Sequence, residues 1–98
     1  MEQDPNQKQV QIRISDETLK GTYSNVMQAT HTQEEFVLDF LNVFGHTGVL
    51  SSRVILSPGH LKRMIKALEE NMRKYEERYG QVTPAEAPDQ TIGFRSEK

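Results

Sequence analysis

One stretch of this chain, Ser57 to Gly80, writes both of its own ends and so limits what the rest can be. Leu61, Ile65, Leu68, Met72, Tyr75 and Tyr79, with Met64 beside them, recur at spacings that alternate between four and three. That spacing holds one apolar stripe on one face of an α-helix. Ser57 supplies an N-cap hydroxyl, and Pro58 sits at the first helical position, where a missing N–H costs nothing. Gly80 is a natural residue just past the C-terminal end. A helix is therefore expected over Pro58–Tyr79. Glu69 with Arg73 and Glu70 with Lys74 add i,i+4 pairs, each worth roughly 0.2–0.5 kcal/mol. So long a stripe exceeds what an isolated small domain needs, and it points to a partner.

The remaining residues offer that helix little to pack on. Of the 98 residues, 35% are apolar, a low share for a globular domain, so the core is expected to be small. There is no cysteine to staple it by a disulfide or a thiolate metal site, which leaves oligomerisation as the route to stability. A formal net charge of -2 argues against a wholly basic, sequence-independent nucleic-acid binder, although not against a local basic patch. No apolar run is long enough to span a membrane, and Met1-Glu2-Gln3-Asp4 does not open a signal peptide. The expected compartment is the cytoplasm.

Residues 1–8 are polar, contain Pro5 and read as a flexible arm. At Val10 the pattern changes: Val10, Ile12 and Ile14 alternate with Gln11, Arg13 and Ser15, as in a half-buried strand. A polar connection follows from Asp16 to Gly21. A second strand is expected from Thr22 to Thr30, with Tyr23, Met27 and Ala29 on one face and Asn25 interrupting it. Thr32 to Phe44 admits two readings. Thr32 with Glu35 fits a capping box and would start a helix. Against this, Phe36, Leu38 and Phe40 alternate with Val37, Asp39 and Leu41, and the aromatic and β-branched content favours a strand, which is the reading preferred. Gly45-His46-Thr47-Gly48 signals a turn into a further strand, Val49–Leu56. After Gly80 the composition is that of a linker. Ile92-Gly93-Phe94 is an apolar island there, either incidental or a short docking motif. The chain thus divides into an arm (1–8), one domain (9–80) and a flexible tail (81–98).

The fold class expected is α+β: an antiparallel meander of three to four strands followed by one long C-terminal helix. Four strands make a sheet roughly 19 Å across, whereas a helix covers only about 10–12 Å. A helix of 22 residues runs roughly 33 Å, against roughly 27 Å for strands of about eight residues. Leu61 to Leu68 are expected to be core. Leu68, at the boundary, with Met72, Tyr75 and Tyr79 are candidates for a homodimer interface.

Glu34-Glu35-Phe36-Val37-Leu38-Asp39-Phe40, Ser52-Arg53-Val54-Ile55-Leu56-Ser57-Pro58, His60-Leu61-Lys62-Arg63, Ala67-Leu68-Glu69-Glu70-Asn71 and Lys74-Tyr75-Glu76, with Tyr23-Ser24-Asn25, resemble a prokaryotic family known as domain of unknown function 3467. The likeness covers about Ile12 to Gly80, and it implies a small, soluble prokaryotic protein with no assigned activity. More distantly, Val54-Ile55-Leu56-Ser57-Pro58 leading into Leu61 and Lys62 is similar in style to single-stranded-DNA-binding coactivators of the positive-cofactor-four type. Those proteins pair a four-strand meander with a dimerising helix. They are basic where this chain is slightly acidic, and likeness of fold alone does not assign function.

Little in the sequence carries chemistry. His31, His46 and His60 have no ligand-pair spacing, so no metal site is expected. Glu34-Glu35 reads as a solvated turn, and no nucleophile motif or phosphate loop is present. No cofactor and no enzymatic activity are expected. Asp39 and Arg53 can meet across adjacent strands, either as an exposed charge pair or as a buried pair fixing register, with Arg53 alternatively an anion site. Arg13, Arg53, Lys62, Arg63 and Lys66, with Tyr23 to stack on a base, form a candidate nucleic-acid surface. The leading expectation is a non-enzymatic homodimeric binding or scaffold module for a protein partner. The alternative is a single-stranded DNA or RNA binder that uses the open face of its sheet.

Overall fold

The computed structural model describes residues 8–87 and 91–97. Its elements are α1 (Asp16–Lys20), β1 (Val26–His31), β2 (Phe36–Phe44), β3 (Thr47–Leu56) and α2 (Pro58–Tyr79). Among the described residues the strands form one antiparallel sheet in the order β1-β2-β3. The fold is α+β, a meander followed by a C-terminal helix.

Phe36–Phe44 is a strand, and the Thr32 signal has a different use. The Thr32 hydroxyl accepts from the backbone N–H groups of Glu34 and Glu35, at 3.2 and 3.3 Å, so it caps the turn between β1 and β2. The turn from β2 to β3 has Gly45 and His46 as its two central residues, with Phe44 opposite Thr47. Gly45 has a φ of 58°, and among the described residues no non-glycine residue has a positive φ. That is the two-residue hairpin turn with glycine first, whose twist matches the flanking strands. Gly48 lies opposite Val43, and a Cβ there would meet the Asn42 carbonyl oxygen at 3.0 Å.

Cross-strand pairing sorts the side chains. One face carries the rows His31–Phe36–Leu56, Ala29–Leu38–Val54 and Met27–Phe40–Ser52. The other carries Thr30–Val37–Ile55, Gln28–Asp39–Arg53 and Val26–Leu41–Leu50. The pairing slips between Phe40 and Leu41, which leaves Ser51 as the extra residue of a bulge in β3. The buried apolar residues are Leu38, Leu41 and Leu56, and Asp39 is buried with them, 5% exposed.

Three expectations at the N-terminal side are corrected. Val10–Ile14 is not a strand: the sheet leaves it out, and Val10, Ile12 and Ile14 are 62–78% exposed. Alternation shows that a segment suits a sheet but supplies no neighbour for it. The second expected strand starts at Val26 rather than Thr22. The supposed connection Asp16–Gly21 contains α1, with the Ser15 hydroxyl accepting from the Thr18 N–H at 3.1 Å and Gly21 at φ 79° ending it. Apart from Lys8, the arm expected at 1–8 lies outside the described residues, and the described parts of the tail have no regular secondary structure.

The helix expected over Pro58–Tyr79 forms with its caps, the Ser57 hydroxyl accepting from the His60 N–H at 3.2 Å. Its relation to the sheet differs from expectation. Leu61 and Met64 are half-buried, but Ile65 and Leu68 are exposed, so the core ends about one turn in. Beyond that, α2 stands clear of the sheet.

Candidate functional site

The longest exposed apolar surface runs along α2. Ile65, Leu68, Met72, Tyr75 and Tyr79 share the stripe, and each is 46–64% exposed. Tyr75 and Tyr79 lie with ring centroids 4.9 Å apart, and the Arg78 guanidinium sits 5.3 Å from the centre of the Tyr79 ring. Arg73 reaches forward to Glu77 at 2.7 Å rather than back to Glu69, and Lys74 stands 3.9 Å from Glu70. These ion pairs are exposed and support the helix only weakly. The candidate interface residues Leu68, Met72, Tyr75 and Tyr79 are thus brought onto one uncovered surface.

The polar row Gln28–Asp39–Arg53 crosses the middle of the sheet. Arg53 donates from Nε to Asp39 Oδ1 at 2.6 Å and from Nη2 to Oδ2 at 3.0 Å, a bidentate pair. The hydrogen bonds from Arg53 hold the Asp39 carboxyl below its ordinary pKa, opposed by burial and assisted by the guanidinium charge. The same bonds raise Arg53 above its own ordinary value. The Arg53 side chain remains half exposed beside a carboxylate that is almost covered. Its charge is already answered within the chain, which weakens it as an anion site.

The other candidate nucleic-acid residues are spread over three segments. Arg13 lies on the unpaired arm, Tyr23 precedes β1, and Lys62, Arg63 and Lys66 occupy the first turns of α2. Arg63 Nη2 lies 3.2 Å from His60 Nδ1. His31 packs its ring 5.0 Å from that of Phe36, and among the described residues no three potential metal ligands converge.

Sequence reasoning missed a small polar clamp. Asn25, taken as an interruption of an apolar face, stands in for a strand residue. Its side-chain amide donates to the Val43 carbonyl and accepts from the Val43 N–H, both at 2.9 Å. The Ser24 hydroxyl donates to the carbonyls of Leu41 and Val26, and the Ser51 hydroxyl donates to the Tyr23 carbonyl, each at 3.0 Å. Three small polar residues so tie the approach to β1 across β2 to the bulge of β3. The available signal was Ser24-Asn25 itself, residue types that hydrogen-bond backbone in place of a ladder.

An open depression of about 1050 Å³ lies between the end of the β2–β3 hairpin and residues 91–97 of the tail. Ile92 and Phe94 both line it. No helix among the described residues is long and apolar enough to cross a membrane. Compared with known families, residues 1–83 match the model described as protein of unknown function (DUF3467). No curated protein and no solved structure matches significantly. The chain belongs to the DUF3467 family.

Proposed function

From that membership as premise, we propose that the protein is a non-enzymatic homodimeric binding module, a cytoplasmic scaffold that pairs through α2 and presents its sheet to a protein partner. The observation that carries this reading is the stripe Ile65–Leu68–Met72–Tyr75–Tyr79, exposed on a helix that leaves its own sheet. Contiguous apolar surface of this kind marks an interaction site on a soluble chain. An isologous helix pair would place Tyr75 and Tyr79, large and rigid aromatic anchors, at its buried centre.

The test is the mass of the full chain in solution by sedimentation or light scattering. Twice 11.3 kDa at micromolar concentration is expected, falling to one chain in Leu68→Glu/Met72→Glu. A wild-type mass of one chain overturns the reading.

One observation favours nucleic acid instead: Lys62, Arg63 and Lys66 are all exposed within the first turns of α2. The engagement of Arg53 by Asp39 counts against it. A labelled single-stranded oligonucleotide separates the two readings. Binding that weakens steeply with salt and falls in Lys62→Ala/Lys66→Ala supports the nucleic-acid reading, and no shift at low salt removes it.

A further inference from the structure

The segment Val10–Ile14 has the residue pattern of a strand, and among the described residues it pairs with no other strand. Val10, Ile12 and Ile14 are β-branched and alternate with Gln11 and Arg13. All three apolar side chains stay at least 62% exposed, and the segment joins no ladder.

The clamp before β1 shows where this segment leaves the sheet. At Asn25 the chain pairs with β2, its N–H donating to the Leu41 carbonyl at 3.0 Å. Two residues earlier the Tyr23 carbonyl is held by Ser51 of β3. The backbone therefore heads from β2 toward β3 as it is followed back from Asn25 to Tyr23. Among the described residues β3, Thr47–Leu56, is an edge strand of the sheet, and an edge with exposed Val49, Val54 and Ile55 invites a further strand. The chain's own Val10–Ile14 does not join it.

We propose that Val10–Ile14 is a donated strand, added to the outer edge of β3 in a second copy of the chain. This rests on the homodimer proposed above and specifies how the copies interlock. The exchange is isologous: each copy gives one such segment and receives one, so the exchange is complete at two copies. Five residues span about 17 Å, well within the ten-residue edge. Main-chain hydrogen bonds supply the attachment, while the alternate isoleucines extend an apolar face of the sheet.

Amide hydrogen exchange and sedimentation on the full chain test this together. Expected are slow exchange at 10–14 and along β3, both concentration-dependent, and in Ile12→Pro a dissociation constant about tenfold or more weaker with faster exchange in β3. Val10→Ser/Ile12→Ser/Ile14→Ser, which leaves the backbone donors in place, should weaken the dimer in the same direction. A dimer whose arm exchanges freely, or whose mass and β3 protection are unchanged in both variants, overturns the donated strand and leaves pairing through α2 intact. Arm protection that persists in monomeric Leu68→Glu/Met72→Glu shows pairing within one chain and also overturns it. A wild-type chain that is monomeric throughout overturns this inference and the homodimer alike.

Discussion

β2 and α2 each carry a row of large apolar side chains, and the molecule treats the two rows in opposite ways. In β2, Leu38 and Leu41 are almost wholly buried, because a central strand gains neighbours on both edges and its side chains pack within rows of three. In α2 the equally regular stripe gains a partner only at Leu61 and Met64, and everything from Ile65 onward faces outward. The difference lies in supply rather than pattern. A three-strand sheet cannot offer surface along a helix of 22 residues, so the helix outruns its own core. The buried row belongs to the single chain, and the exposed row is available to an assembly.

This contrast can be broken at either end. The largest effect is expected from Leu38→Ala, which opens a cavity in the smallest part of a small core. It should cost roughly 2–5 kcal/mol, read as a loss of cooperative unfolding or a steep fall in denaturant midpoint. An effect below about 1 kcal/mol would mean that Leu38 is not the centre of the core. Next comes Leu68→Glu/Met72→Glu, which should halve the solution mass. If it also lowers the melting temperature at high protein concentration, the fold and the assembly are coupled. Asn25→Ala removes both bonds to Val43 and should cost about 1–2 kcal/mol in denaturant titration, while Asn25→Thr, unable to reach both groups, should not restore it.

The Asp39–Arg53 pair sharpens the comparison through pH. The Asp39 pKa is lowered in the folded chain, so its contribution to stability is fully present above the ordinary carboxylate value of about 3.9 and is lost as pH falls through the depressed folded value. Asp39→Asn should therefore melt earlier than wild type at neutral pH and show a shallower decline in the acid range. Parallel curves would show that the pair contributes nothing to folding. The smallest effect is expected from Arg73→Ala, which breaks an exposed pair with Glu77 and should change the melting midpoint by no more than the equivalent of about 0.5 kcal/mol.

The elements that the sequence displays most clearly are those whose signals are local. Ser57, Pro58 and Gly80 mark the ends of α2 by backbone chemistry that needs no tertiary context. Phe36 to Phe44 reads as a strand because its side chains suit a pleated surface, and Gly45 turns the chain back. What stayed hidden depends on where segments meet. Val10–Ile14 shows the period of a strand, but nothing in it states that the chain's own sheet leaves it out. α1 has only five residues and rests on Ser15 and Gly21 rather than on any apolar period. Asn25 breaks an alternation in the sequence and mends a ladder in space. The bulge at Ser51 follows from register, which a single strand does not encode. For the candidate site, the stripe on α2 was legible residue by residue. The length of the helix also pointed to exposure at Met72, Tyr75 and Tyr79, whereas that of Ile65 was hidden, because it depends on a sheet whose outer strand was counted but not present.

The hairpin turn at Gly45 has a consequence for how the protein comes into being. Every pairing in the sheet joins strands consecutive along the chain, through a loop of two residues between β2 and β3 and one of four between β1 and β2. Such low contact order places sheet formation on a scale of microseconds to milliseconds, without waiting for distant parts of the chain. A nascent chain thus reaches the registered sheet by a first-order step of its own. Burial of the α2 stripe through self-association would follow as a second-order step, with a rate set by how many copies the cell holds at once.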